Sequence, residues 1–148
     1  MQFLKIVGYT ILLNLLRYYP GGWIESVTIF ESMHQPMADY PDCFGFTDKD
    51  FPASLFYNFM MWFSVVVTFH LGHKSVKGTI MTRSFIFFGL SCLFFISLAA
   101  VYMNHYTEGI RVFYLFSMLD GIIIFSFLAL INGFLYPKFF PAKPSASI

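Results

Sequence analysis

The sequence predicts an all-α integral membrane protein, a four-helix transmembrane bundle with a short amphipathic helix in its first outer loop. Three observations predict it. Hydrophobic residues make up 57% of the 148 and charged residues only 11%, whereas a soluble domain carries roughly 25% charged residues. Four apolar runs stand between the charges, each near the ~20 residues that cross a hydrocarbon core. Lys and Arg gather on one side of those runs, as the positive-inside rule describes. The chain reads as a single membrane domain over 1–148. A net charge of +1 offers no basic stripe, which argues against nucleic acid as a partner.

The first span is FLKIVGYTILLNLLRYY, 3–19, and Pro20-Gly21-Gly22 is expected to stop it. Asn14 and Arg17 interrupt its apolar run. That broken run, with no A-x-A-like site after it, favours a retained helix over a cleaved signal peptide. The connection 20–53 is long enough to be structured. Within it, WIESVTIFESM repeats Trp23, Val27, Phe30 and Met33 at helical spacing, with Glu25, Thr28 and Ser32 elsewhere. A short amphipathic helix is expected there, lying on the outer leaflet or capping the bundle. YPDCFGFTDKDFP then returns the chain to the membrane, with Asp50 as an N-cap and Pro52 in the first turn that follows.

The second span is SLFYNFMMWFSVVVTFHLG, 54–72, followed by the short basic loop HKSVKGTIMTR, 73–83. SFIFFGLSCLFFISLAAVYM, 84–103, is the third; Gly89, Cys92, Ile96, Ala99 and Ala100 give it a mostly small face suited to close helix packing. After the turn NHYTEGIR, 104–111, the fourth span runs 112–136 to an expected stop at Pro137. The tail PKFFPAKPSASI is expected to fray at its end.

Orientation follows from the basic residues. With both termini cytoplasmic, Lys5, Lys74, Lys77, Arg83, Lys138 and Lys143 lie inside, and Arg17, Lys49 and Arg111 outside. The plasma (inner) membrane is the expected location. Glu25, Glu31, Asp39, Asp42, Asp48, Asp50 and Glu108 then all fall outside, leaving Asp120 as the only intramembrane acid.

Most chemistries lack their residues. Cys43 and Cys92 fall at different depths without a C-x-x-C, which disfavours a disulfide and a quinone-coupled dithiol. DCFGFTDKD lacks the register and closing Glu of a calcium loop. His70 and His73 are three apart, but no carboxylate or Cys lies near enough to complete a metal shell. Haem on His70 would need a second axial ligand in the membrane. No metal or cofactor is therefore expected.

Asp120 stands out against this background. A carboxylate near the middle of a bilayer costs about 2.5–3.5 kcal/mol on insertion scales, so its presence calls for a partner or a task. Thr10, Asn14 and Arg17 share one face of the first span, Ser117 and Gly121 accompany Asp120 on the fourth, and Asn58 lies on the second. Side chains lean toward their helix N-terminus, which tilts Arg17 and Asp120 toward each other. An outward-facing ligand site built from Asp120, Arg17, Asn14, Asn58 and Ser117 is expected; Asp120 meets Arg17 there either as a structural pair or as part of a site that also binds something, or stands neutral as a hydrogen-bond donor.

Three function classes follow. The favoured one is an accessory subunit or a binder of an apolar or amphiphilic molecule such as a membrane lipid, partnered by other membrane subunits or copies of itself. Its rival is a membrane enzyme on a lipid, sterol-like or quinone substrate, with Asp120 as acid or base and Arg17 holding an anionic group. The third is an oligomeric ion or proton conductor through Asp120.

Overall fold

The computed structural model describes residues 2–44, 50–106 and 108–141, and within them every element is helical. Asp48, Lys49, Lys143 and the end of the tail lie outside the described residues, as does the side chain of Glu108. The elements are α1 (Gln2–Leu16), a π turn (Arg17–Gly21), α2 (Gly22–Thr28), α3 (Phe30–Asp39), α4 (Phe51–Gly72), α5 (Ile80–Met103) and α6 (Glu108–Phe139). Short 3₁₀ turns follow α3 at Pro41–Cys43 and α4 at His73–Ser75.

Three helices, α4, α5 and α6, are long and apolar enough to cross a membrane, which is compatible with an integral membrane protein. The expected count of four is corrected by this finding. At ~1.5 Å per residue α1 is about 22 Å long, short of a ~30 Å hydrocarbon core. Polar Asn14 interrupts the apolar run within α1, and cationic Arg17 follows it at the start of the π turn.

The chain does not stop at Pro20 either. The backbone stays in the right-handed helical region at Leu16, Gly21 and Gly22, so 2–28 is one unbroken helical rod of roughly 40 Å. Proline lacks an N–H and crowds the carbonyl four residues back. The wider π turn at Arg17–Gly21 accommodates it. Gly21 is buried there, and a Cβ at this position would meet Ile124 Cδ1 at 3.5 Å and Phe127 Cε1 at 3.6 Å. The rod is thus seated on α6 at its π turn.

The real break comes at Ile29, whose φ of −134° leaves the helix. Segment 23–33 is helical as expected, but in two pieces. Trp23, Val27 and Phe30 are exposed, while Ile29 is buried and α3 packs along α6. Of the two expected placements, leaflet or bundle cap, the exposure of these three residues fits an apolar face turned away from the bundle, with Met33 half-buried.

The longer helices run past their expected ends. α4 begins at Phe51, with Asp50 at the N-cap position and Pro52 in its first turn. α5 starts at Ile80, where Thr79 Oγ1 accepts the Thr82 N–H at 3.2 Å. Gly78, at φ +115°, makes the turn before it with a backbone that side-chain-bearing residues avoid. α6 continues through Pro137 to Phe139, since a proline in the last turn removes only one bond of a long ladder.

The core joins Tyr9 and Leu13 of α1 to Trp62, Val66 and Phe69 of α4, Phe88 of α5, and Phe125 and Leu128 of α6. Helices α5 and α6 share the most extensive contact, and Gly133 lies directly against Met81. Outward, α5 exposes Leu90, Leu93, Phe94 and Val101, a lateral apolar surface of the kind that contacts lipid. Gln2, His70 and Tyr136 meet at one end, so both ends of the described chain lie together.

Candidate functional site

Two polar clusters interrupt the apolar interior, one toward each end. The first is assembled by the rod 2–28 and α6. Because the helix continues past Pro20, Glu25 rides two turns above Arg17 on the same rod. Arg17 grips it with both arms of its guanidinium: Nη2 donates to Oε1 at 2.5 Å and Nη1 to Oε2 at 3.3 Å. The two side chains are only 20% and 13% exposed. The Arg17 guanidinium also lies 5.0 Å from the centre of the Tyr18 ring, a cation–π distance.

Asp120 stands beside this pair. Its carboxyl is within charge and hydrogen-bonding reach of Glu25 and within charge reach of Arg17. Its Oδ1 is buried and has no hydrogen-bond partner among the described residues. One cation therefore faces two carboxyl groups. Two ionised carboxylates at such range repel, and a single proton between them would bring the cluster to neutrality.

The expected site is only partly assembled. Arg17 and Asp120 do come together, but Arg17 gives its hydrogen bonds to Glu25. Glu25, expected on the outer side with Asp120 left as the only intramembrane acid, is brought by the continuous rod to Arg17 and next to Asp120. Asn14, Asn58 and Ser117 bond to their own helices instead of to Asp120. Asn14 Nδ2 donates to the Thr10 carbonyl at 3.0 Å, Asn58 Nδ2 to that of Ser54 at 3.1 Å, and Ser117 Oγ to that of Phe113 at 2.9 Å. Such bonds to the preceding turn satisfy a polar side chain inside an apolar helix without a partner from elsewhere.

The second cluster was not anticipated. Tyr9 Oη donates to Asn132 Oδ1 at 2.8 Å, Asn132 Nδ2 donates to Ser84 Oγ at 2.9 Å, and Ser84 Oγ donates to the Ala129 carbonyl at 2.7 Å. All three side chains belong to residues that are 0% exposed. The chain of bonds ties α1, α5 and α6 together, and each donor in it has an acceptor. The signal in the sequence was Asn132 itself, an amide in an apolar run that has to find partners on other helices.

Next to it, Gln2 Nε2 donates to His70 Nε2 at 2.8 Å, which leaves His70 Nδ1 to donate to Tyr136 Oη at 2.7 Å. His73 Nδ1 contacts the Phe69 and His70 carbonyls at 3.1 Å. Both histidines are thus held by the protein. Among the described residues no three His, Cys, Asp or Glu side chains gather as metal ligands would.

Comparison with protein-family models, with curated proteins and with solved structures finds no match to this chain.

Proposed function

We propose that the protein is a small polytopic membrane protein that binds an amphiphilic molecule at Arg17, Glu25 and Asp120. In this reading the rod 2–28 enters the bilayer beside α4, α5 and α6 as a fourth element of the bundle. The basic bias places both termini in the cytoplasm, with the plasma (inner) membrane as the location. One observation carries the reading: with both carboxyls ionised, the buried Asp120 Oδ1 has no hydrogen-bond donor among the described residues, next to an arginine that gives its hydrogen bonds to Glu25. A buried acceptor left unmade costs about 1–3 kcal/mol, more for a charged one, so a donor brought by a bound molecule is strongly favoured there.

The chemistry of that molecule follows from the charge balance. With Arg17 engaged by Glu25, the free capacity is an acceptor with negative character. It suits the hydroxyl or amine head of an otherwise apolar compound and repels an anionic head. The enzyme reading, with Arg17 as the holder of an anionic group, loses support for the same reason. A proton site is the second reading, supported by the adjacency of the two carboxyls.

Native mass spectrometry of protein released in mild detergent tests the proposal. Wild type should carry an additional small-molecule mass that Asp120→Leu loses. Identical spectra for the two, or no additional mass on either, would sink it. A co-purifying polypeptide that depends on Asp120 would move the reading to an accessory subunit.

A further inference from the structure

At the end of the bundle away from Asp120, α1 and α6 part around a cavity of about 400 Å³ lined by Lys5, Gly8, Tyr9, Lys138 and Phe139. Both lysines are exposed. No acid competes for them along their own helices: the sequence has no Asp or Glu before Glu25 and none after Asp120. Asp120 is roughly 27 Å along α6 from Lys138. The floor is aromatic, with the Tyr9 and Phe139 rings 5.1 Å apart. Gly8 keeps the cavity open, since no atom lies within 4 Å of where its Cβ would be.

A second feature continues from the cavity. Leu4, Ile11 and Leu15 stand at four before, three after and seven after Gly8, on the same face of α1, and all three are exposed. A paired positive charge thus opens onto an apolar track running toward the middle of the bundle. We propose that this cavity binds the headgroup of an anionic phospholipid, with Lys5 and Lys138 on the phosphate and one acyl chain along Ile11 and Leu15. A free phosphate would use the lysines but not the track. The site is separate from the Arg17–Glu25–Asp120 cluster, and either can fail without the other.

The test is a lipid titration of the whole protein in mild detergent, read by native mass spectrometry and thermal shift. Dioleoylphosphatidylglycerol should bind and stabilise, while dioleoylphosphatidylcholine and inorganic phosphate should not. A lysine at an anionic lipid surface is worth about a fivefold factor in affinity, so K5Q/K138Q should lose roughly thirtyfold. Gly8→Phe fills the cavity without changing charge and should lose binding to a similar extent while the protein stays folded. The control K74Q/K77Q, in the loop beyond α4, should stay within about twofold of wild type. Equal loss in that control would make the effect a general one of basic charge and overturn the site. So would undiminished binding by Gly8→Phe. Stabilisation by inorganic phosphate equal to that by the anionic lipid would overturn the lipid and leave only an anion site.

Discussion

Glu25→Leu removes the acid that neutralises Arg17, and the geometry sets the size of the loss. The guanidinium and carboxylate make two contacts at 2.5 and 3.3 Å. Charge centres about 4 Å apart attract by about 4 kcal/mol at an effective dielectric of 20. Much of that is offset by desolvation when the pair forms; deleting one member of an isolated buried pair costs about 3–5 kcal/mol, and Asp120, still within charge reach of Arg17, holds the loss to the low end. Arg17 is 20% exposed, so some water returns to it and the lower figure applies, ~3 kcal/mol. For a chain of this size that corresponds to a fall in Tm of about 6–12 °C. The assay is thermal unfolding in mild detergent, followed by the fluorescence of Trp23 and Trp62. Arg17→Leu leaves two carboxyls without a cation and should lose at least as much, and the double variant should recover part of it. Asp120 would then lack a cation, so adding Asp120→Asn should complete the recovery. The exposed acid Glu31 of α3 supplies the control: Glu31→Leu should change stability by less than about 0.5 kcal/mol. A Glu25→Leu loss no larger than that of Glu31→Leu, or single losses that add in the double variant, would refute the buried pair.

Tyr9→Phe deletes the donor to Asn132 in a site closed to water and should cost about 1–3 kcal/mol in the same assay. Ser91→Ala, which removes only a bond to its own helix at Phe87, should stay within about 0.5 kcal/mol. Gly133→Ala should destabilise by about 1–3 kcal/mol, because the new methyl meets Met81 Sδ and lies 3.2 Å from the Met81 Cα, separating α5 from α6. Cys43 is exposed and Cys92 buried, so an impermeant maleimide should label the wild-type protein at Cys43 in intact cells. Cysteine introduced at Ser75, in a Cys43→Ser background, should be shielded, and the reverse pattern would invert the orientation.

The sequence by itself determined α4, α5 and α6. Each is a long apolar run, and both helix formation and the preference for lipid are decided by composition over some twenty consecutive residues. It also marked Asp120 and Arg17 as the charges that needed an explanation, because a lone charge in an apolar run is costly wherever the helix packs. Only the tertiary structure decided how those costs are met. Pro20 reads locally as a stop, yet the buried contact of Gly21 with Ile124 and Phe127 accompanies a π turn that carries the helix through it. That continuation places Glu25 at Arg17 and next to Asp120, a choice of partner set by the rotation and depth of the rod against α6. Asn132 is the same case at the other end, since its partners Tyr9 and Ser84 lie 123 and 48 residues away. Periodicity assigns a residue to a face of its own helix. Which atom waits on the facing helix depends on how two helices are turned and slid against each other, and packing fixes that only once the whole bundle has formed.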